Sequence, residues 1–204
     1  MSGTGLDQGS ALGRVVVRAD GPALAAAREW AWAMDEAGAD ALALHGRPED
    51  PTTSALLGAL AAAGLPLELH VPGPAPDWAQ LAPLLADHAD LNAVVPEQGP
   101  MADLAERLAA HGCALAWPGE AGPAAPATVW RWHWEEEAVA GGPGGLPAEA
   151  PFERSLGVAD PGSALPAGVT TVVVPAAVLD AVDPGATIAG LRPAVPLPCD
   201  PPGA

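Results

Sequence analysis

The 204 residues and 20.2 kDa of this chain allow one substantial hydrophobic core and leave little for a second. Half of the residues are hydrophobic, yet no apolar run approaches the ~20 residues that a membrane span needs. A net charge of −17 repels nucleic acid phosphates and anionic lipid, which excludes both as partners, and any phosphorylated substrate must be held against that field.

The eight basic residues are all arginine; lysine and tyrosine are absent, and Asn, Ile and Phe occur once each. Scarcity of AT-coded residues beside abundant Ala, Gly and Pro points to a GC-rich genome. Arginine is GC-coded yet rare, so the acidity exceeds codon drift, and a saline cytoplasm is one cause. Met1 to Gly13 is rich in Gly and Ser, with neither a basic region nor an apolar stretch, so no signal peptide is visible and a cytoplasmic location is expected. Cys113 lies in an apolar run and Cys199 in a Pro-rich tail, a pair that fits neither a disulfide framework nor a cysteine metal site.

In chain order, the apolar runs predict strands at Arg14–Arg18, Ala41–His45, Pro66–His70, Leu91–Val95, Cys113–Trp117, Val129–Trp134, Ser155–Ala159 and Val169–Val174. Helical patterns fill the early gaps at Ala23–Ala37, Thr52–Ala63, Asp77–Asp87 and Met101–His111. Gly38, Gly64 and Gly112 sit where these helices should close, and Asp77 where the third should be capped. Beyond them Gly119–Pro126 is too proline-rich for a full helix, and Ala138–Pro151 reads as a loop, either surface or lid. The chain divides into a disordered N-terminal tail (1–13), one domain (14–193) and a Pro-rich C-terminal tail (194–204). Eight strands with crossover helices in about 200 residues predict a compact α/β (β/α)8 TIM barrel with an irregular second half.

Strand parity then selects the inward side chains. His45 shares a face with Ala41 and Ala43, Glu68 with His70, and Arg14 with Val16, Arg18 and Asp20, while Arg131, His133 and Glu135 oppose Trp130, Trp132 and Trp134. Both His45 and His70 end their strands, where barrels of this kind carry their chemistry. Burying Arg18, His45, Glu68, His70, Arg131 and His133 on one face is costly unless they pair or serve a site. Glu97 follows the fourth strand on the face of Val95. His88 and His111 fall on helices and are expected to face solvent or cap; one of Trp30 and Trp32 is free to mark a contact in a homo-oligomer; Glu135–Glu137 reads as a solvated acidic turn.

Those residues resemble the ribulose-phosphate 3-epimerases, (β/α)8 barrels of the ribulose-phosphate-binding type. The likeness runs through Val15-Val16-Val17-Arg18-Ala19-Asp20, Ala37-Gly38-Ala39-Asp40 with Ala43-Leu44-His45, Leu67-Glu68-Leu69-His70-Val71-Pro72, and Asp183-Pro184 before Thr187–Leu191. It implies epimerisation or isomerisation of a sugar phosphate or related sugar, by metal-assisted proton transfer beside a carbonyl. It also implies Zn, Fe or Mn held by His45, His70 and Asp160; His45 or Asp160 as the proton carrier; and substrate contacts from Arg18, Asp20, Arg47, Glu68, Glu97 and His133. The match is partial. The second-strand histidine of the family is Ala43, its second-strand aspartate is His45, its first-strand serine is Arg18, and its phosphate-holding Gly-Ser is Pro175-Ala176, whose proline has no amide to donate. An eroded pseudoenzyme or ligand-binding barrel is therefore the alternative. A weaker resemblance, to pyridoxine 5′-phosphate synthase, rests on His45-Gly46-Arg47-Pro48-Glu49-Asp50, Leu67-Glu68-Leu69 and Val95-Pro96-Glu97.

Overall fold

The computed structural model describes residues 13–19, 26–98, 102–118, 131–135, 153–157 and 169–193. Eight parallel strands close into a barrel in sequence order, which is the TIM barrel expected from the sequence. They are β1 (Arg14–Ala19), β2 (Ala41–His45), β3 (Leu67–Pro74), β4 (Leu91–Gln98), β5 (Ala114–Pro118), β6 (Arg131–Glu135), β7 (Glu153–Gly157) and β8 (Thr171–Pro175). The described helices are α1 (Ala27–Glu36), α2 (Pro51–Leu60), α3 (Trp78–Asp87), α4 (Ala102–Ala110) and, after β8, α5 (Pro184–Leu191). None of them is long and apolar enough to cross a membrane.

Local chemistry explains these boundaries. Asp50 caps α2, its Oδ1 accepting the Thr52 amide at 2.8 Å, with Pro51 in the first helical position where its missing N–H costs nothing. Gln80 returns its side-chain oxygen to the Asp77 amide at 2.9 Å at the head of α3. Gly38, Gly64 and Gly112, expected to close helices, all take left-handed backbone conformations that L side chains resist.

Two cores follow from strand alternation. Val15, Val17, Leu42, Leu44, Leu67, Leu69, Val94 and Leu115 point outward into the main core, where they meet helical residues such as Met34, Leu57, Leu81 and Leu108. On α1 the buried Ala27, Ala31 and Met34 recur at helical spacing. Of the two α1 tryptophans, Trp30 packs against this core and Trp32 stays 48% exposed, its indole N–H donating to the Ala62 carbonyl at 3.1 Å. Inside the barrel a small second cluster of Val16, Ala41, Ala43 and Val173 fills the side formed by β1, β2 and β8. The side formed by β3 to β5 is different, offering buried Glu68 and His70 beside small Ala93, Ala114 and Ala116.

The barrel closes at its N-terminal end. The Gly13 amide donates to the Pro193 carbonyl at 3.0 Å, and the Val15 amide donates to Asp40 Oδ2 at 2.8 Å. Arg192, just after α5, donates to Asp40 Oδ2 and to the Gly38 carbonyl at 2.7 Å each, and to the Gly13 carbonyl at 3.2 Å. One guanidinium thus ties α5 to the starts of β1 and β2.

Several expected boundaries move. β3 and β4, expected to end at His70 and Val95, run on through Pro72, Pro74 and Pro96, and the β3–β4 register shifts between Val71 and Pro74. A proline inside a strand loses one ladder donor, and an irregular register accommodates that loss. β7 starts at Glu153 rather than Ser155, because its pairing with Arg131–Glu135 begins there. β8 starts at Thr171 rather than Val169; Thr170 instead accepts the Arg14 amide at 2.9 Å. Gly13, expected in the disordered tail 1–13, is instead buried and bonded to Pro193; the rest of that tail, the segments at 119–126 and 138–151, and the C-terminal tail lie outside the described residues.

Candidate functional site at the C-terminal mouth

His45 ends β2 and is the register partner of His70 on β3, so the two histidines stand side by side on the inward face. Adjacent strands lie about 4.8 Å apart, which brings both rings within reach of one small molecule. His45 is exposed at the rim, whereas His70 is buried one strand over.

Each imidazole faces a carboxylate. His45 Nε2 lies 3.7 Å from Glu97 Oε1, an ion-pair distance longer than a hydrogen bond, and both groups are solvent-accessible. Glu97 comes from β4, and its other oxygen accepts the Gly73 amide at 2.8 Å. Gly73 can aim that amide because it adopts φ +74°, in the left-handed region. His70 Nε2 sits 3.4 Å from Glu68 Oε2, two residues earlier on the same face. A carboxylate beside a ring nitrogen orients the ring. The β2–α2 turn is held down by the Gly46 amide, which donates to the His70 carbonyl at 2.9 Å.

Other expected site residues fall differently. Arg18, half-buried on β1, pairs in register with Ala43 and Pro175 near the same mouth. Arg47 was expected to meet a substrate anion, but its Nη1 donates to the Pro72 carbonyl at 2.8 Å and its Nε to Glu49. That contact holds the Glu49 carboxyl below its usual range, chiefly through the Arg47 hydrogen bond. Arg47 therefore braces the β2–α2 turn. Glu68, also expected at the mouth, instead lies 1% exposed and reaches toward Arg14 at the opposite end, with Glu68 Oε1 3.9 Å from Arg14 Nη2. Its other oxygen faces His70, which stands between it and the mouth's histidine pair. The β6 backbone pairs His133 with Pro118 and Ser155, and nothing further is described of that side chain. Asp20 and Asp160 lie outside the described residues.

Among the described residues, no three His, Cys, Asp or Glu side chains converge on a metal position. The two histidines proposed as ligands each face a carboxylate across a ring nitrogen, and Asp160, the third expected ligand, is not among those residues. The described donors do not by themselves fit a metal centre.

Sequence reasoning missed Gly73 and Arg14. Gly73 gave no motif, since its role comes from one backbone amide. Arg14 was legible by parity, sharing its face with Arg18, but its partner was not. The helix histidines behave as expected of structural groups: His88 Nε2 lies 3.1 Å from the Ser54 hydroxyl, and His111 Nδ1 lies 3.0 Å from the Arg107 carbonyl.

Eight parallel strands, an outer helical layer, and paired polar groups at the strand ends define a (β/α)8 barrel with its candidate site at the C-terminal mouth. The chain is similar to tryptophan synthase subunit alpha from Legionella pneumophila strain Paris, with a TM-score of 0.58 at 11% identity over 88% of this chain and 91% of that one. It is also similar to the tryptophan synthase alpha chain from Legionella pneumophila subsp. pneumophila, with a TM-score of 0.56 at 11% identity over 88% and 90% of the two chains. Neither a known sequence family nor a curated protein matches. At such identity the likeness is one of fold.

Proposed function

We propose that the C-terminal mouth is a small-molecule site in which His45 and His70 move a proton at the carbon beside a carbonyl of a sugar phosphate or related sugar, the reaction class of the ribulose-phosphate 3-epimerases that the sequence resembles, with the two histidines here as proton carriers where the resemblance implies metal ligands. The observation that carries this reading is the register pairing of two inward histidines at strand ends, each facing a carboxylate. One neutral imidazole takes the proton and becomes imidazolium, the electron pair of the broken C–H bond moves to the carbonyl oxygen as an enediolate, and the other, starting as imidazolium, gives its proton to the carbon as the carbonyl re-forms and is left neutral. Glu97 and Glu68 stabilise the imidazolium that forms on either side.

A second reading, a barrel that binds such a ligand without turning it over, is favoured by two observations. Arg47 is occupied within its own turn, and Pro175 offers no amide where a phosphate would be held. Titration of ribulose 5-phosphate and other ketose phosphates, followed by amide chemical shifts, tests the location. Perturbation concentrated at Gly46, Gly73 and Glu97 supports the site, and the absence of any perturbation at up to about 10 mM would remove it.

A further inference from the structure

We propose that Glu68 is a proton relay for His70, carrying its proton out through the N-terminal end of the barrel, away from the substrate. The relay rests on the reading of His70 as a proton carrier. Each turnover leaves the two imidazoles with exchanged charge states, since the neutral ring ends as imidazolium and the imidazolium ends neutral. Before the next turnover in the same direction, one ring must lose a proton to water and the other must regain one. His45, exposed at the rim, meets water directly. His70 is 4% exposed and needs another route.

Glu68 reaches both ends of that route. Its Oε2 lies 3.4 Å from His70 Nε2, and its Oε1 lies 3.9 Å from Nη2 of Arg14 at the start of β1. A cavity of about 480 Å³ opens there, between the starts of the strands, with Glu68, Arg14, Asn92, Ala93 and Ala114 among its walls. A space of that size, walled by a carboxylate, a guanidinium and an amide, admits water. The sequence explains the opening. A (β/α)8 barrel normally fills its interior with branched side chains, but here Glu68 stands in register between Ala43 on β2 and Ala93 on β4, with Ala114 next on β5. Three methyl groups leave the carboxylate room to turn.

The transfer balances. The His70 imidazolium gives its Nε2 proton to Glu68 Oε2, leaving a neutral ring and a carboxylic acid. A half-turn about the Cγ–Cδ bond of Glu68 carries that O–H toward the cavity, where water takes the proton and the carboxylate is restored. The reverse sequence reloads His70 when it serves as the acid. The 3.4 Å separation is long for a hydrogen bond, and catalytic pairs often tighten only once the substrate is bound. Glu68, His70 and Arg14 hold further contacts as well. The relay uses Glu68 as a bridge between partners it already has and requires no vacant charge.

The test is exchange of the His70 ring N–H with water, followed by NMR on the full chain carrying isotope-labelled histidine, without substrate. The expected result is measurable exchange in wild type despite the burial, slowed by about 10-fold or more in Ala114→Leu, which fills the cavity from another strand. Backbone amides of β3 should keep their wild-type protection, which separates a blocked route from general stiffening. Glu68→Gln, close in shape but unable to take up and pass on a proton, should slow the exchange likewise and serves if Ala114→Leu fails to fold. A wild-type ring proton that does not exchange over hours, or exchange unchanged in either folded variant, would overturn the proposal. Slowed ring exchange in the variants, with no deuterium gained by ketose phosphates in D2O, would keep the route and remove the reaction. Deuterium gain with ring exchange indifferent to both variants would keep the reaction and remove the route.

Discussion

Cys113 provides an unusually clean test of the packing, because the chain has no lysine and no tyrosine. Between pH 9 and 12 the groups that ordinarily titrate are then the two cysteines, with the α-amino group titrating below that window. Cys113 is 3% exposed in the outer core, and its thiol is pushed up to about 12, first by burial and second by the nearby charge of Glu68. In the unfolded chain it returns to its ordinary value near 9.0. From pH 9 upward the unfolded chain sheds the thiol proton while the folded chain keeps it, so stability is full below pH 9 and falls until the folded thiol also ionises near 12. A shift of this size is on the order of a few kcal/mol, with a limiting slope of about 1.4 kcal/mol per pH unit. For a chain of this length that corresponds to a fall in Tm of roughly 5–15 °C. Urea unfolding of wild type and Cys113→Ala at pH 8 to 11.5 measures it. The variant starts from lower stability, so the comparison is of slopes, and the wild-type decline should be largely absent from it. A wild-type stability that is flat across the window, or an equal slope in Cys113→Ala, would refute the burial assigned to this thiol.

Two further outcomes follow from the geometry. Arg192→Ala removes the three contacts that tie α5 to β1 and β2, and because the ion pair is partly exposed the cost should be about 2 kcal/mol by urea unfolding; a loss below about 0.5 kcal/mol would show that the clamp does not close the barrel. Gly73→Ala places a Cβ at φ +74° and should cost about 1–2 kcal/mol while releasing Glu97 from the Gly73 amide; a variant as stable as wild type, with an unchanged Glu97 environment by NMR, would contradict that geometry.

The barrel was legible because its early half repeats one physical unit: a helix closed by glycine, then a short apolar strand, about every 25 residues. Ala41–His45 was read to the residue, since a half-polar end follows an unbroken apolar run. β3 and β4 were read short, to His70 and Val95, because the apolar runs stop there; Pro72, Pro74 and Pro96 extend the strands where backbone pairing across the barrel carries them on and the register is irregular. The side-by-side placement of His45 and His70 was legible from parity, which put both on the inward face at their strand ends. What each histidine faces was not. Glu97 lies 52 residues from His45, and only the β2–β3–β4 register brings them together. Arg47 looked available because it follows a strand end, yet the Pro72 carbonyl and Glu49, fixed by the turn geometry, claim it. Glu68 shares a face with His70, and parity alone gives no sense of which end of the barrel its carboxylate reaches.

The measurement that bears most directly on the central claim is hydrogen exchange at carbon. Ketose phosphates incubated with the purified chain in D2O, followed by NMR, should gain deuterium beside the carbonyl, and His45→Ala and His70→Ala should each slow the gain by about 100-fold or more while remaining folded. A wild-type chain that binds these sugars at the C-terminal mouth but exchanges nothing, or exchange that survives both substitutions, would contradict the assignment of the two histidines as the proton carriers.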